Sequence, residues 1–432
     1  MTPEVRDRID QIRQGIVPEG YKKTKSGILP ESWSVRTIAE CLERVEHPVE
    51  VQANAMYTQI GIRSHGKGLF YKEPVTGDSL GNKSVFWIEP DCFILNIVFA
   101  WEQAVGKTTQ AEAGMIGSHR FPMYRPINGS IDIDYLISYL LTKRGTDILE
   151  AASPGGAGRN RTLGQDRFMK SRIVLPPLDE QKKIAEILST QDKAIELQER
   201  KIEELKRFKK GCLEKMFPRK GQKVPETRFP GFTGDWEQRK VSTIASDTRG
   251  GGTPATSNET YWSGNIPWIQ SSDLSEGKLF GVEPRKYISR DGLNNSATQL
   301  VPENSIAVVT RVGVGKLAFM PFSYTTSQDF LSLCKLQTEP HFTVYALYQM
   351  LQGELQAVQG TSIKGMTKDD LLSKSIFAPK DEVEQQQLGS YFRNLDTLIT
   401  LHQRKLEEMK KQKKALMQLL LTGIVKTKGE VR

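Results

Sequence analysis

Apolar residues recur every seven positions along two stretches of this chain, which lie about two hundred residues apart. The first stretch covers residues 178–217 and the second covers residues 381–423, and neither contains a proline. Each stretch therefore predicts one long helix. The two sequences also match, because Glu180-Gln181 corresponds to Glu384-Gln385 and the pattern Arg-Lys-x-Glu-Glu-x-Lys begins at Arg200 and again at Arg404. We interpret this repeat as the mark of a duplicated protein.

The heptad columns predict that the two helices pack against each other as a coiled coil. Polar residues interrupt the columns at matching points, Gln198 matching His402 and Lys209 matching Lys413, as expected if the helices face each other and polar seam positions fix their register. A pseudo-two-fold axis between the halves would make the helices antiparallel. The alternative is two separate amphipathic helices, each lying on its own domain, although surface helices are usually shorter. The predicted apolar seam consists of Ile184, Leu188, Ile195, Ile202, Leu205, Leu388, Leu395, Ile399, Leu406 and Met409.

A globular domain of mixed strand and helix is predicted before each long helix. Trp33 opens the first domain and Trp236 the second, and each domain closes in a strand that a proline ends. The fold class is thus mixed α+β, with two duplicated α/β domains separated by two long antiparallel coiled-coil helices in a pseudo-two-fold arrangement. The predicted boundaries are an N-terminal helical arm at 1–26, a first domain at 27–177, the first long helix at 178–217, a linker at 218–227, a second domain at 228–380, the second long helix at 381–423 and a basic tail at 424–432.

Shorter patterns predict further elements inside these boundaries. β-branched and aromatic runs predict strands at 86–88, 93–99 and 305–310, and a helix is predicted near the end of each domain, at 135–149 and at 344–359. The arm is predicted to hold a short polar helix and then a basic loop at 21–25.

Composition limits the class of protein. The chain has 432 residues, of which 38% are hydrophobic, so it is large enough for two or three folded domains. Sixty Lys and Arg against 51 Asp and Glu give a net charge of +9, which makes a polyanion a plausible partner. No apolar run is long enough to span a membrane, and the charged N-terminus does not fit a signal peptide, so we expect a cytoplasmic protein. The four cysteines lack the spacing of a disulfide framework or a zinc site.

Basic, glycine-containing loops are the candidate sites for nucleic acid. Glycine lets the backbone approach phosphate, while Arg and Asn side chains can read base edges. The alternative for the loop at 310–316 is a plain β-hairpin with solvated charges. A phosphate-binding loop is rejected at 313–316 and at Gly250-Gly251-Gly252, because the required spacing is missing. The candidates in these loops are Arg63, Ser64, His65, Lys67, Arg159, Asn160, Arg161, Arg311 and Lys316.

Two tryptophans and the scattered histidines are weaker candidates. Trp262 and Trp268 could stack on bases, but a Trp in a mixed domain is more often core, and we expect core here. The histidines have no Cys, His or carboxylate at metal-ligand spacing, so no metal site is predicted. No cofactor loop, methyltransferase motif or metalloprotease motif is present, which predicts a chain without catalytic residues.

The order of these motifs resembles a known family. Two α/β domains, each opening at a Trp and each followed by a long helix of this type, are similar to the specificity subunit of type I restriction-modification systems, over nearly the whole chain. The resemblance includes Val105-Gly106-Lys107 beside Val314-Gly315-Lys316, and Ser327-Gln328-Asp329, where the first domain has Gly117-Ser118-His119-Arg120 instead. Together with a basic loop in each domain, it adds the DNA-binding candidates Lys107, His119, Arg120, Ser327, Gln328 and Lys364.

The resemblance implies a function and a set of partners. Each domain would be a target-recognition domain that reads one half of a bipartite double-stranded DNA site. The helices would hold the domains apart and seat two methyltransferase subunits, beside restriction subunits that act as translocase and nuclease. S-adenosylmethionine, ATP and magnesium would be bound by those partners, and no cofactor by this chain. A stand-alone DNA-binding nuclease and a coiled-coil scaffold without nucleic acid are the alternatives.

Overall fold

The computed structural model describes residues 3–81, 83–155, 161–219, 221–357 and 365–427. The chain forms two compact units: the first contains residues 1–197 and 406–432, and the second contains residues 198–405. Each unit therefore includes part of both long helices. Within the described residues, no helix is both long enough and apolar enough to cross a bilayer.

The first unit is built from short strands and helices that precede the first long helix, and it includes the last part of the second long helix. Its helices are α1 Pro3–Arg13, α2 Gly77–Leu80, α3 Ile133–Leu140, α4 Lys143–Ala152, α5 Gln165–Lys170 and the beginning of α6 Leu178–Met216. Its strands are β1 Tyr21–Thr24, β2 Gly27–Pro30, β3 Ser34–Thr37, β4 Leu42–Val45, β5 Met56–Tyr57, β6 Ile60–Ile62, β7 Leu69–Tyr71, β8 Val75–Thr76, β9 Val85–Trp87, β10 Phe93–Leu95, β11 Val105–Lys107, β12 Ile116–Ser118, β13 Met123–Pro126 and β14 Arg172–Leu175.

The second unit contains the remaining elements. Its strands are β15 Glu237–Lys240, β16 Ala245–Gly250, β17 Ile266–Ile269, β18 Lys286–Ile288, β19 Ser305–Val309, β20 Leu317–Met320, β21 Thr325–Thr326, β22 Phe330–Leu336 and β23 Ser375–Ala378. Its helices are α7 Val241–Ile244, α8 Arg290–Asn294, α9 Pro340–Ala357, α10 Lys368–Ser373 and most of α11 Glu382–Leu421, together with the later part of α6.

The main sheet has the same strand order in both units. In the first unit the antiparallel order is β11-β10-β13-β4, and in the second it is β20-β19-β22-β16. The strand that ends each domain also pairs with the strand that follows the opening Trp, β14 with β3 and β23 with β15. The predicted duplication of a mixed α/β domain is confirmed by this shared topology.

One face of each main sheet packs against helices, including the long ones. In the first unit Phe93 and Leu95 belong to one core with Ile184 and Leu188 of α6 and with Leu420 of α11. The second unit repeats this arrangement, because Ile306 and Val308 lie in one core with Phe342 of α9 and with Leu388 and Phe392 of α11. Burial of these apolar side chains is the main stabilising contribution, at about 1.5–3 kcal/mol for each fully buried one.

The two long helices pack side by side and run antiparallel within each unit. In the second unit Gln198 bonds His402 at 2.8 Å and Lys209 bonds Asp396 at 2.6 Å, so the partner number falls as the number along α6 rises. In the first unit Ile184 and Leu188 share a core with Leu420, while Asp192 farther along α6 pairs with Lys413. None of the ten predicted seam residues is exposed, and only Ile195, Leu395, Leu406 and Met409 are partly rather than fully buried. The predicted helix pairing is confirmed.

The repeated Glu-Gln pair at the start of each long helix has a structural role. The Gln181 side chain donates to the Pro176 carbonyl at 2.9 Å and accepts from the Asp132 amide at 2.9 Å. Gln385 makes the same two contacts, with the Pro379 carbonyl at 2.8 Å and the Glu339 amide at 2.9 Å. Each glutamine thus joins the long helix to the preceding strand and to the start of α3 or α9. The glutamates differ: Glu180 accepts from the Trp33 indole, whereas Glu384 binds Arg228.

Several predicted elements differ in their extent. The basic loop at 21–25 is wrong, because Tyr21–Thr24 is a strand that pairs with Gly27–Pro30. The helix at 135–149 is two helices, since Thr142 accepts from the Gly145 amide and caps a new helix there. The strand at 93–99 ends at Leu95, and the helix at 344–359 already begins at Pro340.

The N-terminal arm lies against the end of the second long helix. Arg8 donates to the Ile424 carbonyl at 2.8 Å, and the Tyr21 hydroxyl donates to the Gly423 carbonyl at 2.8 Å. Arg8 and Lys426 each lie 5.6 Å from the centre of the Tyr21 ring. This is the position that a pseudo-two-fold relation between the halves predicts for the arm.

Candidate nucleic-acid interface

A short ladder of backbone hydrogen bonds gathers the candidate loops of the first unit. The Ile97 amide donates to the Arg120 carbonyl at 3.0 Å, and the Leu163 amide donates to the Ile97 carbonyl at 2.8 Å. The loops after β10, β12 and α4 are therefore adjacent, although the sequence separates them widely.

The second unit contains the same ladder. The Thr310 amide donates to the Asp329 carbonyl at 2.7 Å, and the Met366 amide donates to the Thr310 carbonyl at 2.6 Å. Thr310 is thus the structural counterpart of Ile97, and Asp329 that of Arg120. Gln328 then corresponds to His119, which is the alignment that the sequence suggested for these two segments.

The hairpin between β6 and β7 carries the densest group of candidates in the first unit. Its tip is fixed because the His65 amide donates to the Glu102 carbonyl at 2.7 Å and the Ser64 hydroxyl donates to the Glu102 carboxylate at 2.9 Å. His65 has a φ of 61° and Gly66 a φ of +64°, and a Cβ on Gly66 would lie 2.6 Å from Leu141. The backbone therefore turns tightly and leaves Arg63, His65 and Lys67 exposed.

Two further candidate groups of the first unit lie on other loops. His119 and Arg120 are exposed directly after β12. The Arg161 guanidinium is partly buried and lies 5.3 Å from the centre of the Trp101 ring. Arg159 and Asn160 lie outside the described residues.

Lys107 is engaged within the first unit. Its ammonium binds the Asp134 carboxylate of α3 at 2.7 Å. Partial burial would lower the pKa of Lys107, but the contact with Asp134 outweighs burial and raises that pKa. The proposed match between Lys107 and Lys316 is wrong in the structure. Lys107 lies within β11 opposite Phe93, whereas Lys316 precedes β20. Ile306 of β19 is the counterpart of Phe93 and lies opposite Phe319, so Phe319 occupies the position of Lys107.

The candidate loop of the second unit at 310–316 joins β19 to β20. It is a β-hairpin connection in which Arg311 is exposed, while Lys316 is partly buried with its ammonium 3.4 Å from the Ser271 carbonyl. A Cβ on Gly315 would lie 2.4 Å from Leu355, so this glycine allows the loop to pack closely against α9. Lys364 lies outside the described residues.

The segment Ser327-Gln328-Asp329 places its side chains differently. Ser327 is 4% exposed and its amide donates to the Ile269 carbonyl at 2.9 Å, so it supports the loop from inside. Gln328 is exposed and accepts from the Thr253 hydroxyl at 2.7 Å. Sequence reasoning missed Thr253; the glycine run just before it was the available signal.

The prediction that the two tryptophans belong to the core is confirmed for Trp268. It is 3% exposed, and its indole donates to the Gly252 carbonyl at 3.0 Å. Trp262 is partly exposed and packs edge-on against Trp268 with 5.0 Å between ring centres. The Lys286 ammonium lies 5.6 Å from both ring centres.

The two units differ where the main sheet and the α3 or α9 helix approach the long helices. In the second unit Phe319 and His341 are in ring contact, and Tyr345 packs on Phe392. The first unit has Lys107, Asp134 and Ser138 at the corresponding positions. A polar cleft of about 740 Å³ opens there instead, lined by the β6–β7 tip, α3, α6 and α11.

The placement of acidic, histidine and cysteine side chains decides whether either unit could hold a metal. Across the part of the chain that the structure describes, no three His, Cys, Asp or Glu side chains are placed together to bind a metal ion. The four cysteines are free thiols, three of them buried.

The family model for the type I restriction modification DNA specificity domain matches residues 86–207 and 233–411. These residues are more than half of the chain and include parts of both units. The chain belongs to this family. Membership of this family accounts for the duplication, for the paired helices and for the loops gathered by the repeated ladder.

Individual relatives agree with this assignment. The chain is 23% identical to the type I restriction enzyme MjaVIII specificity subunit of Methanocaldococcus jannaschii, over 97% of this chain and 99% of the relative. It is 30% identical to the EcoR124I/EcoR124II specificity subunit of Escherichia coli, over 34% of this chain and 38% of the relative. A structure solved to explain complex assembly and conformational transition of the type I R-M system has the same fold. Its TM-score is 0.58 at 18% identity, over 92% of this chain and 99% of that chain.

Proposed function

We propose that this chain is the non-catalytic subunit that gives a type I restriction-modification enzyme its target sequence. It reads a bipartite double-stranded DNA site, with one half-site for each unit. The observation that carries this proposal is the repeated ladder, since both units bring exposed basic or amide side chains onto loops held by the same backbone hydrogen bonds. The net charge of +9 favours association with a polyanion.

The long helices set the distance between the half-sites in this proposal. With 39 residues, α6 is about 60 Å long at ~1.5 Å per residue. Because part of each long helix belongs to the core of each unit, the unread spacer follows from helix length and not from base contacts.

Partner subunits carry the chemistry. Charged residues outside the seam, such as Lys206 and Lys210 of α6 and Lys411 and Lys414 of α11, are exposed and offer docking surface for two methyltransferase subunits. Part of this positive surface faces DNA phosphate. Restriction subunits join the same complex, and S-adenosylmethionine, ATP and magnesium are bound by the partners.

Exchange of one domain tests the proposal. Residues 27–177 are replaced by the corresponding domain of a relative that has another specificity, and methylated sites are sequenced in cells that also carry the methyltransferase. One half-site should change, while the other half-site and the spacer stay the same. Exchange of residues 228–380 is the matched control and should change only the other half-site. If either exchange alters both half-sites, the assignment of one half-site per unit is wrong.

Filter binding of the purified chain to random duplex DNA over a salt series separates the other function classes. A DNA-reading subunit binds at low salt and releases as salt rises, because phosphate contacts release counterions. A coiled-coil scaffold would show no binding, and a solitary nuclease would cut the duplex when magnesium is added.

A further inference from the structure

The glycine run Gly250-Gly251-Gly252 lacks the spacing of a phosphate-binding loop, yet the second unit is built closely around it. The Gly252 amide donates to the Thr326 carbonyl at 2.8 Å, and its carbonyl accepts from the Trp268 indole at 3.0 Å. A Cβ on Gly251 would lie 1.9 Å from the Ser327 carbonyl oxygen. Any side chain at Gly251 would therefore push the strand end away from the 326–328 segment.

This close approach places one hydrogen-bond donor at each end of the run beside a glutamine. The Gly250 amide donates to the side-chain oxygen of Gln299 at 3.2 Å. The Thr253 hydroxyl donates to the side-chain oxygen of Gln328 at 2.7 Å. Both glutamines are exposed, and among the described residues no hydrogen-bond partner is found for either side-chain NH2 group. Each carboxamide is thus held by its oxygen, while its NH2 group is available as a donor on an exposed residue.

A carboxamide in this state matches adenine in the major groove of a duplex. A glutamine reads adenine by donating to N7 and accepting from the N6 amino group, and a carboxamide oxygen has two lone pairs, one of which is still available here. Fixing the amide in advance reduces the rotational entropy that binding would otherwise cost.

The two residues that donate to the glutamines lie close enough together for both glutamines to serve one half-site. Gly250 and Thr253 are three residues apart, so even a fully extended chain separates them by at most about 11 Å. This is about three base-pair steps at ~3.4 Å each. Both glutamines therefore reach bases within the same short element.

We infer that the Gly250–Thr253 segment is a positioning device that orients Gln328 and Gln299 to read adenines in the half-site of the second unit. Gln328 and Gln299 are the specificity-determining residues, and Thr253 acts through Gln328. The inference rests on the proposed function, because it requires that the second unit reads one half of a bipartite site.

Sequencing of methylated sites in cells that carry the full-length subunit with its methyltransferase tests the inference. Gln328→Ala should relax one adenine position in one half-site by about 5- to 150-fold in preference and leave the other half-site unchanged. Gln299→Ala should relax a different position within about three base pairs of the first. Thr253→Val should relax the same position as Gln328→Ala, because it removes the hydroxyl and keeps the shape, whereas Thr253→Ser should restore the preference.

A matched control separates reading from folding. Gln337→Ala removes another exposed glutamine of the second unit, which bonds the Lys335 carbonyl at the opposite end of β22, and it should leave every position unchanged. Thermal unfolding of each purified variant should match that of the parent.

Two outcomes overturn the inference. Uniform weakening across all sites without a relaxed position would mean that the glutamines contact phosphate. Relaxation in the half-site that changes when residues 27–177 are exchanged would show that the glutamines do not read the half-site of the second unit. The proposed function fails separately, when the parent chain itself yields no bipartite motif.

Discussion

The carboxylate of Asp396 joins three elements of the second unit, and its removal should cost much more than removal of its counterpart in the first unit. Asp396 accepts from the Lys209 ammonium at 2.6 Å and from the Tyr345 hydroxyl at 2.6 Å. The side chain of Lys209 is 10% exposed and that of Asp396 is 22% exposed. Burial, and then the negative charge of Asp396, raise the pKa of Tyr345, so its phenol remains a donor.

The duplication supplies the matched control. Asp192 and Lys413 form the corresponding pair in the first unit, but the side chain of Asp192 is 56% exposed. Ser138 stands where the second unit has Tyr345, so Asp192 has no phenol partner from α3 among the described residues. The two pairs therefore contain the same residue types and differ in burial.

Asp396→Asn keeps the shape of the side chain and removes its charge. Lys209 then keeps a mostly buried ammonium without an anion, which we expect to cost about 2–4 kcal/mol, between the values for exposed and buried pairs. Asp192→Asn should cost about 0–1 kcal/mol. For a unit of this size, 1 kcal/mol corresponds to about 2–4 °C in Tm. The first variant should thus lower the transition of the second unit by roughly 4–16 °C.

Scanning calorimetry of both variants measures the difference. Repetition at high salt should reduce the small effect of Asp192→Asn and leave most of the effect of Asp396→Asn, because buried pairs are screened less. A double-mutant cycle that combines Lys209→Met with Asp396→Asn should show an attractive coupling, because the double variant should lose less stability than the two single variants together. Equal losses of Tm for Asp192→Asn and Asp396→Asn would refute the reasoning, since burial would then not decide the strength of the pair.

Two predictions concern the long helices. Seven residues inserted after Leu197 and seven after Leu401 keep the heptad register and add about 10 Å to each helix. Sequencing of methylated sites should then show a spacer longer by about three base pairs, with both half-sites unchanged. A changed half-site would contradict the helix-length mechanism. Reversal to Glu of the exposed Lys206, Arg207 and Lys210 of α6 should remove one methyltransferase subunit from the purified complex, and reversal of Lys411 and Lys414 of α11 should remove the other; a complex that keeps both subunits when both sets are reversed would show that docking lies elsewhere.

Features that repeat along the chain, or that depend on neighbouring residues, follow from the amino-acid sequence alone. Heptad spacing is a local property of a helix, so the seam residues and the polar pair of Gln198 with His402 are predictable from residue order. The order of motifs, present twice, is enough to predict the duplicated domains and the family.

Features that depend on contacts between distant residues are set by the folded unit instead. Lys107 faces Asp134 because the sheet register places it there. The same holds for Thr253 and Gln328, which are 75 residues apart and meet because Gly251 lets two backbone segments touch. Periodicity carries no information on such pairings, since register and loop contact are set by the packing of the whole unit.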